Sequence, residues 1–157
     1  DCIAKMIAAD AIIMGSPNDR PKMEPAAETL AGFGIEADVQ VMSAHRTPAK
    51  VAEFVGSARA NGYAAVIAGA GMAAHLAGAA AAHTTLPVIG VPLSGGALNG
   101  VDALYATVQM PKGIPVATVA VDGAINAALL VVQMLAISDA DLEAKLVADR
   151  EARASVS

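Results

Sequence analysis

The chain has 157 residues, which suits one domain (1–157) with a substantial buried core. Its formal net charge is -5, and its ten Lys and Arg residues are dispersed, so no basic surface is available to bind nucleic acid. Hydrophobic residues make up 55% but aromatic residues only 3%, which predicts a core of small aliphatic and methionine side chains. Cys2 is the single cysteine, which excludes an intrachain disulfide and a cysteine-based zinc site.

Residues 60–101 contain no Asp, Glu, Lys or Arg. Gly and Pro interrupt this stretch repeatedly, so no continuous apolar span of about 20 residues remains to cross a membrane. We therefore predict no membrane segment and assign the stretch to the centre of a sheet and to a surface buried against other subunits. No charged-then-apolar leader is visible, and we expect a cytoplasmic protein.

Apolar runs that predict strands alternate with segments of helical periodicity. The predicted strands are 8–14, 37–42, 64–68, 87–91 and 114–121. The predicted helices are 21–33, a helix from Pro48 to a stop at 61–62, 72–83, 101–109, 124–136 and a final helix capped by Ser138. Five strands, each followed by a helix, predict an α/β fold with a doubly wound parallel sheet.

The final helix carries a narrow apolar stripe of Leu142, Leu146 and Val147 among charged residues. A stripe this thin favours docking on a neighbouring subunit over docking on the chain's own core.

Three segments that follow predicted strands carry candidate ligand groups, and right-handed crossovers would bring them to one sheet edge. The first is 14–19, where Ser16 and the backbone at a helix start suit an anion, and Asp19 suits ribose hydroxyls. Taken alone, the segment is better explained by ordinary helix-start chemistry, because Ser16, Asn18 and Asp19 are all good caps.

The second segment, 43–48, places His45 and Arg46 before a helix. A cation is unfavourable at that end of a helix unless an anion such as phosphate accompanies it. An imidazole suits general acid–base catalysis near neutral pH. A surface His–Arg pair without function is the alternative.

The third segment, 68–76, permits close backbone approach at Gly69 and Gly71 before a helix. From the residues alone we assign His75 a hydrogen-bonded structural role inside that helix, and His83 a role at its end. Three scattered histidines without acidic partners at ligand spacing argue against a metal site.

These segments, with others that follow in order, resemble the PurE family over about residues 8–137. The matching motifs are Gly15-Ser16 with Asp19, Ser43-Ala-His-Arg-Thr-Pro48, Gly69-Ala-Gly71 with Ala73-Ala-His-Leu76, Leu86-Pro-Val-Ile-Gly-Val-Pro92, Val108-Gln-Met-Pro111, Pro115-Val-Ala-Thr-Val119 and Asn126-Ala-Ala-Leu-Leu130. The resemblance implies a flavodoxin-like three-layer α/β/α sandwich that assembles as a homo-octamer. It also implies a purine-biosynthesis mutase that needs no metal or organic cofactor.

The implied reaction moves a carboxylate from the exocyclic nitrogen of an imidazole ribonucleotide to ring carbon 4. Carbon dioxide is released and recaptured inside a closed, dry pocket. The resemblance makes His45 the general acid–base. It assigns the phosphate to Ser16, Asn18, Ser43 and Arg46, the ribose to Asp19, and the carboxylate or carbon dioxide to backbone amides among Ala70, Gly71, Met72, Ala73, His75 and Leu76.

The chain departs from the family's usual residues at Asn18, Arg20, Met72, Ala73 and Ala77. The alternatives are a direct carboxylase of aminoimidazole ribonucleotide, a divergent member acting on another ribonucleotide, and a non-catalytic flavodoxin-like nucleotide-binding module. Turnover of the carbamate substrate without bicarbonate separates the mutase from the carboxylase. A bound yellow cofactor and a dispensable His45 would indicate the module.

Overall fold

A computed structural model describes residues 9–156 and shows a five-stranded sheet in which all strand pairs are parallel. The strand order is β2-β1-β3-β4-β5. The strands are β1 (Ala9–Met14), β2 (Glu36–Val41), β3 (Tyr63–Gly71), β4 (Val88–Leu93) and β5 (Ala117–Thr118). This confirms the predicted doubly wound sheet.

Within residues 9–156, six helices alternate with the strands or follow them. They are α1 (Arg20–Gly32), α2 (Pro48–Gly56), α3 (Leu76–His83), α4 (Val101–Val108), α5 (Ala124–Ala136) and α6 (Ala140–Ala154). A single 3-10 turn over Pro17–Asp19 precedes α1. Helix α1 ends where Gly34 takes a φ of 78°, the conformation that favours glycine after a helix.

The sheet separates two apolar cores, as strand alternation requires. Ile12 and Met14 of β1 pack with α1, α5 and α6 on one face, whereas Ala11 and Ile13 pack with α2 and α3 on the other. Helix α4 lies on the second face, because a side chain at Gly90 would meet the Thr107 methyl group at 2.4 Å. Small residues at the centre of the sheet therefore let the helices approach closely, and the result is the predicted three-layer sandwich.

Several predicted boundaries differ from the structure. Strand β3 extends to Gly71, so Ala70 and Gly71 belong to the strand, and α3 starts at Leu76 rather than at Met72. Strand β5 is only two residues long, although the Val119 amide still donates to the Gly90 carbonyl at 3.1 Å.

The last helix is capped by Asp139 rather than by Ser138. The Asp139 carboxylate accepts hydrogen bonds from the amides of Asp141 and Leu142 at 3.0 and 3.2 Å. Asp and Ser are comparably good caps, so only the position of the turn decides between adjacent candidates.

Helix α6 packs on α5 of its own chain. Leu142 is 7% exposed and belongs to the core between α1 and α5, and Leu146 packs against it. The prediction that this stripe avoids the chain's own core is therefore wrong for these two residues. Val147 remains 47% exposed, and docking of α6 on another subunit stays a prediction.

No helix within residues 9–156 is long and apolar enough to span a membrane. The charge-free stretch 60–101 instead contributes β3 and β4, the two strands at the middle and fourth positions of the sheet.

Candidate active site

Three loops meet where the strand order reverses. The chain passes from β1 outward to β2 and then returns to β3 on the other side of β1, so a crevice opens at the carboxyl ends of these strands. We call residues 15–19, 43–47 and 72–75 the first, second and third loops. The Gly15 amide donates to the Gly69 carbonyl at 3.1 Å and the Met42 amide to the Met14 carbonyl at 2.9 Å, which fixes the three strand ends side by side.

The second loop is closed by its own hydrogen bonds. The Ser43 hydroxyl oxygen accepts from the amides of His45 and Arg46 at 3.3 and 3.1 Å. The Ser43 amide in turn donates to the Thr47 hydroxyl oxygen at 2.9 Å, and the Thr47 amide donates to the Ser43 carbonyl at the same distance. Thr47 occupies the predicted N-cap position of α2, but its side chain turns back to Ser43 and makes no cap bond.

Arg46 joins the second loop to the first. Its Nη2 donates to the Gly15 carbonyl at 2.8 Å. Partial burial raises the pKa of Asp19, and the Ser16 backbone, Lys22 and Arg46 oppose that rise. The bond to Gly15 and the proximity to Asp19 therefore explain in part why Arg46 lies at the start of α2. The guanidinium has further N–H donors for a ligand.

His45 and His75 form a pair across the second and third loops. Nε2 of His45 lies 2.7 Å from Nδ1 of His75, and the two rings meet edge to face with centroids 4.8 Å apart. At this distance one ring donates a proton and the other accepts it. His75 is exposed at the N-cap position of α3, so its predicted place inside the helix is wrong.

The third loop offers fewer free amides than the resemblance implies. The amides of Ala74 and His75 donate within the loop, to the carbonyls of Met72 and Ala73, both at 2.8 Å. The Leu76 side chain is 1% exposed in the core under α2 and α3, so only its backbone can face a ligand.

Met72 has a left-handed φ of 49° and is 60% exposed. Its side chain lies against Gly96 in the loop after β4, where an added Cβ would be 3.2 Å from the Met72 sulfur. Met72, which departs from the family's usual residue at this position, therefore connects the third loop to the loop after β4.

The site is open in the single chain. His45, Arg46, His75 and Asn18 are all exposed, and Ser16, Ser43 and Asp19 are half-buried. Residues 9–156 of one chain do not by themselves form the closed, dry pocket that the resemblance implies. Within residues 9–156 no three His, Cys, Asp or Glu side chains are placed to hold a metal ion.

Lys22, Ser94 and Asp122 form a polar cluster beside the first loop that the sequence analysis missed. Lys22 Nζ donates to the carbonyl and hydroxyl oxygens of Ser94 at 2.5 and 2.9 Å, and Ser94 donates to Asp122. The three residues come from α1 and from the loops after β4 and β5. No local motif joins them, and only the strand order could have placed them together.

A model of the AIR carboxylase family matches residues 10–155, which is nearly the whole described chain. The chain belongs to this family. The matched residues include all three loops, and the resemblance to the PurE family is confirmed.

Several relatives have known names or structures. The chain is 51% identical to N5-carboxyaminoimidazole ribonucleotide mutase of Pyrococcus abyssi, over 89% of this chain and 80% of that protein. It is 53% identical to the protein of the same name from Escherichia coli K12, over 87% of this chain and 82% of that protein. The crystal structure of Treponema denticola PurE superposes with a TM-score of 0.86 at 28% identity, and covers 94% of this chain and 92% of that one.

Proposed function

We propose that this AIR carboxylase family chain catalyses the N5-carboxyaminoimidazole ribonucleotide mutase reaction of purine biosynthesis. The observation that carries the proposal is the high identity to relatives of that name from an archaeon and a bacterium, across the whole region that holds the three loops. The reaction is an isomerisation, because the carboxylate only moves from the exocyclic nitrogen to carbon 4 of the same imidazole.

His45 is the proposed general acid–base. It protonates the exocyclic nitrogen as the nitrogen–carboxylate bond breaks and carbon dioxide leaves. Carbon 4 then attacks the carbon dioxide, and His45 removes the proton from carbon 4, so no proton is gained or lost overall. The contact between its Nε2 and Nδ1 of His75 at 2.7 Å supports this role, because a second imidazole can hold the ring in one tautomer.

The phosphate and ribose belong to the first and second loops in this proposal. Arg46 lies just before the N-terminal end of α2, where the helix dipole and a guanidinium together favour an anion. The Arg46 amide donates to Ser43, and its guanidinium donates to the carbonyl of Gly15, which precedes Ser16. Ser16, Asn18 and Ser43 are the other residues proposed to hold the phosphate. Asp19 accepts from the ribose hydroxyls. Burial raises the pKa of the Asp19 carboxyl, and the Ser16 backbone, Lys22 and Arg46 oppose that rise.

The migrating carboxylate belongs to the third loop and the end of β3. Ala70, Gly71, Met72, Ala73, His75 and Leu76 are the residues proposed to surround it. The amides of Ala74 and His75 are engaged within the loop, so the His75 imidazole and the remaining backbone carry this role. The proposed reaction uses no metal or organic cofactor.

A homo-octamer is the proposed assembly, in which neighbouring subunits close the open site. Helix α4 and the turn before it expose an apolar stripe that suits such contacts, with Leu98, Val101, Tyr105 and Val108 between 44% and 63% exposed. The cytoplasmic location expected from the sequence also stays a prediction.

The test supplies the purified chain with the carbamate substrate in buffer freed of bicarbonate and follows the carbon-4 carboxylated ribonucleotide. We expect turnover under these conditions. Activity that appears only with aminoimidazole ribonucleotide and added bicarbonate would replace the mutase by the carboxylase. No turnover on either substrate, together with a bound flavin, would indicate a nucleotide-binding module.

A further inference from the structure

A polar cluster of Lys22, Ser94 and Asp122 connects the first turn of α1 to the loops after β4 and β5, at the edge of the sheet that carries the proposed site. Asp122 accepts from the amide of Ser94 at 2.9 Å and from its hydroxyl at 2.5 Å, while Lys22 donates to two oxygens of Ser94. Ser94 follows β4 and Asp122 lies immediately before α5, whereas Lys22 is in the first turn of α1. The cluster therefore joins the start of α1 to the side of the sheet formed by β4 and β5.

Helix stability does not explain a lysine at this position. An ammonium in the first turn of α1 opposes the helix dipole, which is positive at that end. The ammonium is instead held by its two hydrogen bonds to Ser94. There it is near enough to Asp19 and Asp122 to act on the pKa of both carboxyl groups in the lowering direction. Partial burial tends to raise the pKa of Asp122, but hydrogen bonds from Ser94 and the nearby Lys22 lower it below its ordinary value.

The backbone at Asp122 is held in a conformation that is unfavourable for most residues. Its φ is 59°, in the left-handed region, where Asp is tolerated better than bulkier side chains. The Asp122 amide donates to the Pro92 carbonyl at 2.8 Å, and both carboxylate oxygens are occupied by Ser94. Backbone and side chain together fix the acceptor for the Ser94–Lys22 pair.

We propose that Lys22 is a positioning residue for ribonucleotide binding. By donating to Ser94, which is bound to Asp122, it holds the start of α1, and with it the first loop, in place. This inference rests on the proposed function, because Asp19, the carboxylate assigned to the ribose, is three residues before Lys22. Lys22 does not touch the reacting atoms. It holds the carboxyl end of β1 and the first turn of α1 at a fixed distance from the β4 and β5 loops.

The experiment compares Lys22→Met with Lys145→Met in the full-length chain. Lys145 on α6 is the matched control, because its Nζ also donates to a backbone carbonyl, that of Phe33 at 3.5 Å, away from the three loops. We expect Lys22→Met to raise KM about tenfold, the scale of a lost charge-assisted hydrogen bond, with kcat within about twofold of the wild type. Lys145→Met should leave both constants unchanged.

Two further variants separate positioning from direct contact with substrate. Asp122→Asn should raise KM in the same direction, and the double variant Lys22→Met/Asp122→Asn should raise it no further than Lys22→Met alone. Lys22→Arg, which keeps the charge, should recover most of the wild-type KM. Calorimetric affinity for the carbon-4 carboxylated ribonucleotide should follow the same order as KM.

An unchanged KM and affinity in Lys22→Met would overturn the inference, as would effects of Lys22→Met and Asp122→Asn that multiply in the double variant. A fall in kcat and thermal stability without a change in KM or affinity would also overturn it. These outcomes differ from failure of the proposed function, in which the wild type itself shows no turnover and no affinity for the ribonucleotide.

Discussion

Asp10 lies near the start of β1 and Asp19 lies in the 3-10 turn that follows the strand, and the two carboxyl groups differ in burial and in the charges around them. Asp10, at the second position of the strand, is fully buried, and strand alternation places it on the face of Ile12 and Met14. Neither of its oxygens has a hydrogen-bond partner among residues 9–156. Asp19, after the strand, is half-buried beside the Ser16 backbone, Lys22 and Arg46. Burial raises the pKa of both groups, and among the residues that the structure describes cations oppose the rise at Asp19 and not at Asp10.

The difference separates a carboxylate that a site can use from one that only costs stability. A nearby amide, that of Ala11, offsets a small part of the cost at Asp10 without making a hydrogen bond of normal geometry. Polar groups at the carboxyl edge have partners from other loops, whereas the interior of β1 offers none. Substitutions at the edge should therefore change activity and spare stability, and substitution of Asp10 should do the reverse.

The largest effect is expected for His45→Asn. Turnover should fall by a factor on the order of 100 or more, the scale of a lost general acid–base, because asparagine cannot carry the proton between nitrogen and carbon. The measurement is kcat on the carbamate substrate together with the thermal unfolding midpoint. His83→Asn, at the end of α3, is the control. Turnover near that of the wild type would remove His45 from the proposed role.

A smaller loss is expected for Arg46→Ala, which removes the guanidinium beside Asp19 and Gly15. Ribonucleotide affinity should weaken by about 1.5–3 kcal/mol, the usual contribution of a hydrogen bond to a charged group. Titration calorimetry measures the change, with Arg59→Ala as the control, since Arg59 donates to Thr85 away from the loops. Equal affinities in wild type and variant would exclude Arg46 from the phosphate site.

Asp10→Val should raise the free energy of unfolding by roughly 1–3 kcal/mol at neutral pH, because it removes a buried polar group without partners. The folded-state pKa is raised, so folding favours the protonated carboxyl. The pH-dependent part of the cost of Asp10 is absent below the unfolded pKa of about 3.9 and grows as the pH rises toward the folded pKa, whereas the cost of burying the neutral carboxyl is present at every pH.

Urea unfolding of Asp10→Val and wild type at pH 5 and pH 8 checks this sign. The stabilisation should be larger at pH 8, while kcat stays at the wild-type value. Glu28→Gln, at an exposed position of α1, should change stability by less than about 0.5 kcal/mol at both pH values. A destabilised Asp10→Val would show that the carboxyl has a partner in solution, and the contrast with Asp19 would fail.

The smallest effect is expected for Ser43→Ala, which removes the acceptor for the amides of His45 and Arg46 but no charge. Loss of these two bonds should cost about 1 kcal/mol, seen as a severalfold rise in KM. Ser57→Ala is the control, because Ser57 makes similar local bonds at the end of α2, to the Glu53 and Phe54 carbonyls. A KM unchanged in both variants would show that the second loop keeps its shape without Ser43.

The sequence predicted the features that are encoded locally. Alternating apolar runs defined the five parallel strands, and the 43–48 segment was placed at the correct sheet edge. Features that depend on contacts between distant residues were missed. Examples are the His45–His75 pair and the Lys22–Ser94–Asp122 cluster, in which the residues in direct contact are 28 to 72 positions apart in the sequence. The start of α3 was misplaced because Met72 and Ala73 are good helix formers, and only the structure shows the turn that holds them.

The self-contained second loop has a consequence for association. The hydrogen bonds made by the Ser43 and Thr47 side chains and by the backbone amides of the loop run between residues at most four positions apart, so its backbone adopts this shape without help from a bound ligand. Little conformational entropy of this backbone is then lost when a ribonucleotide binds, and more of the contact energy remains as affinity. The His45 imidazole and the Arg46 guanidinium are already in position before an anion binds, so binding at this loop should need no slow backbone rearrangement.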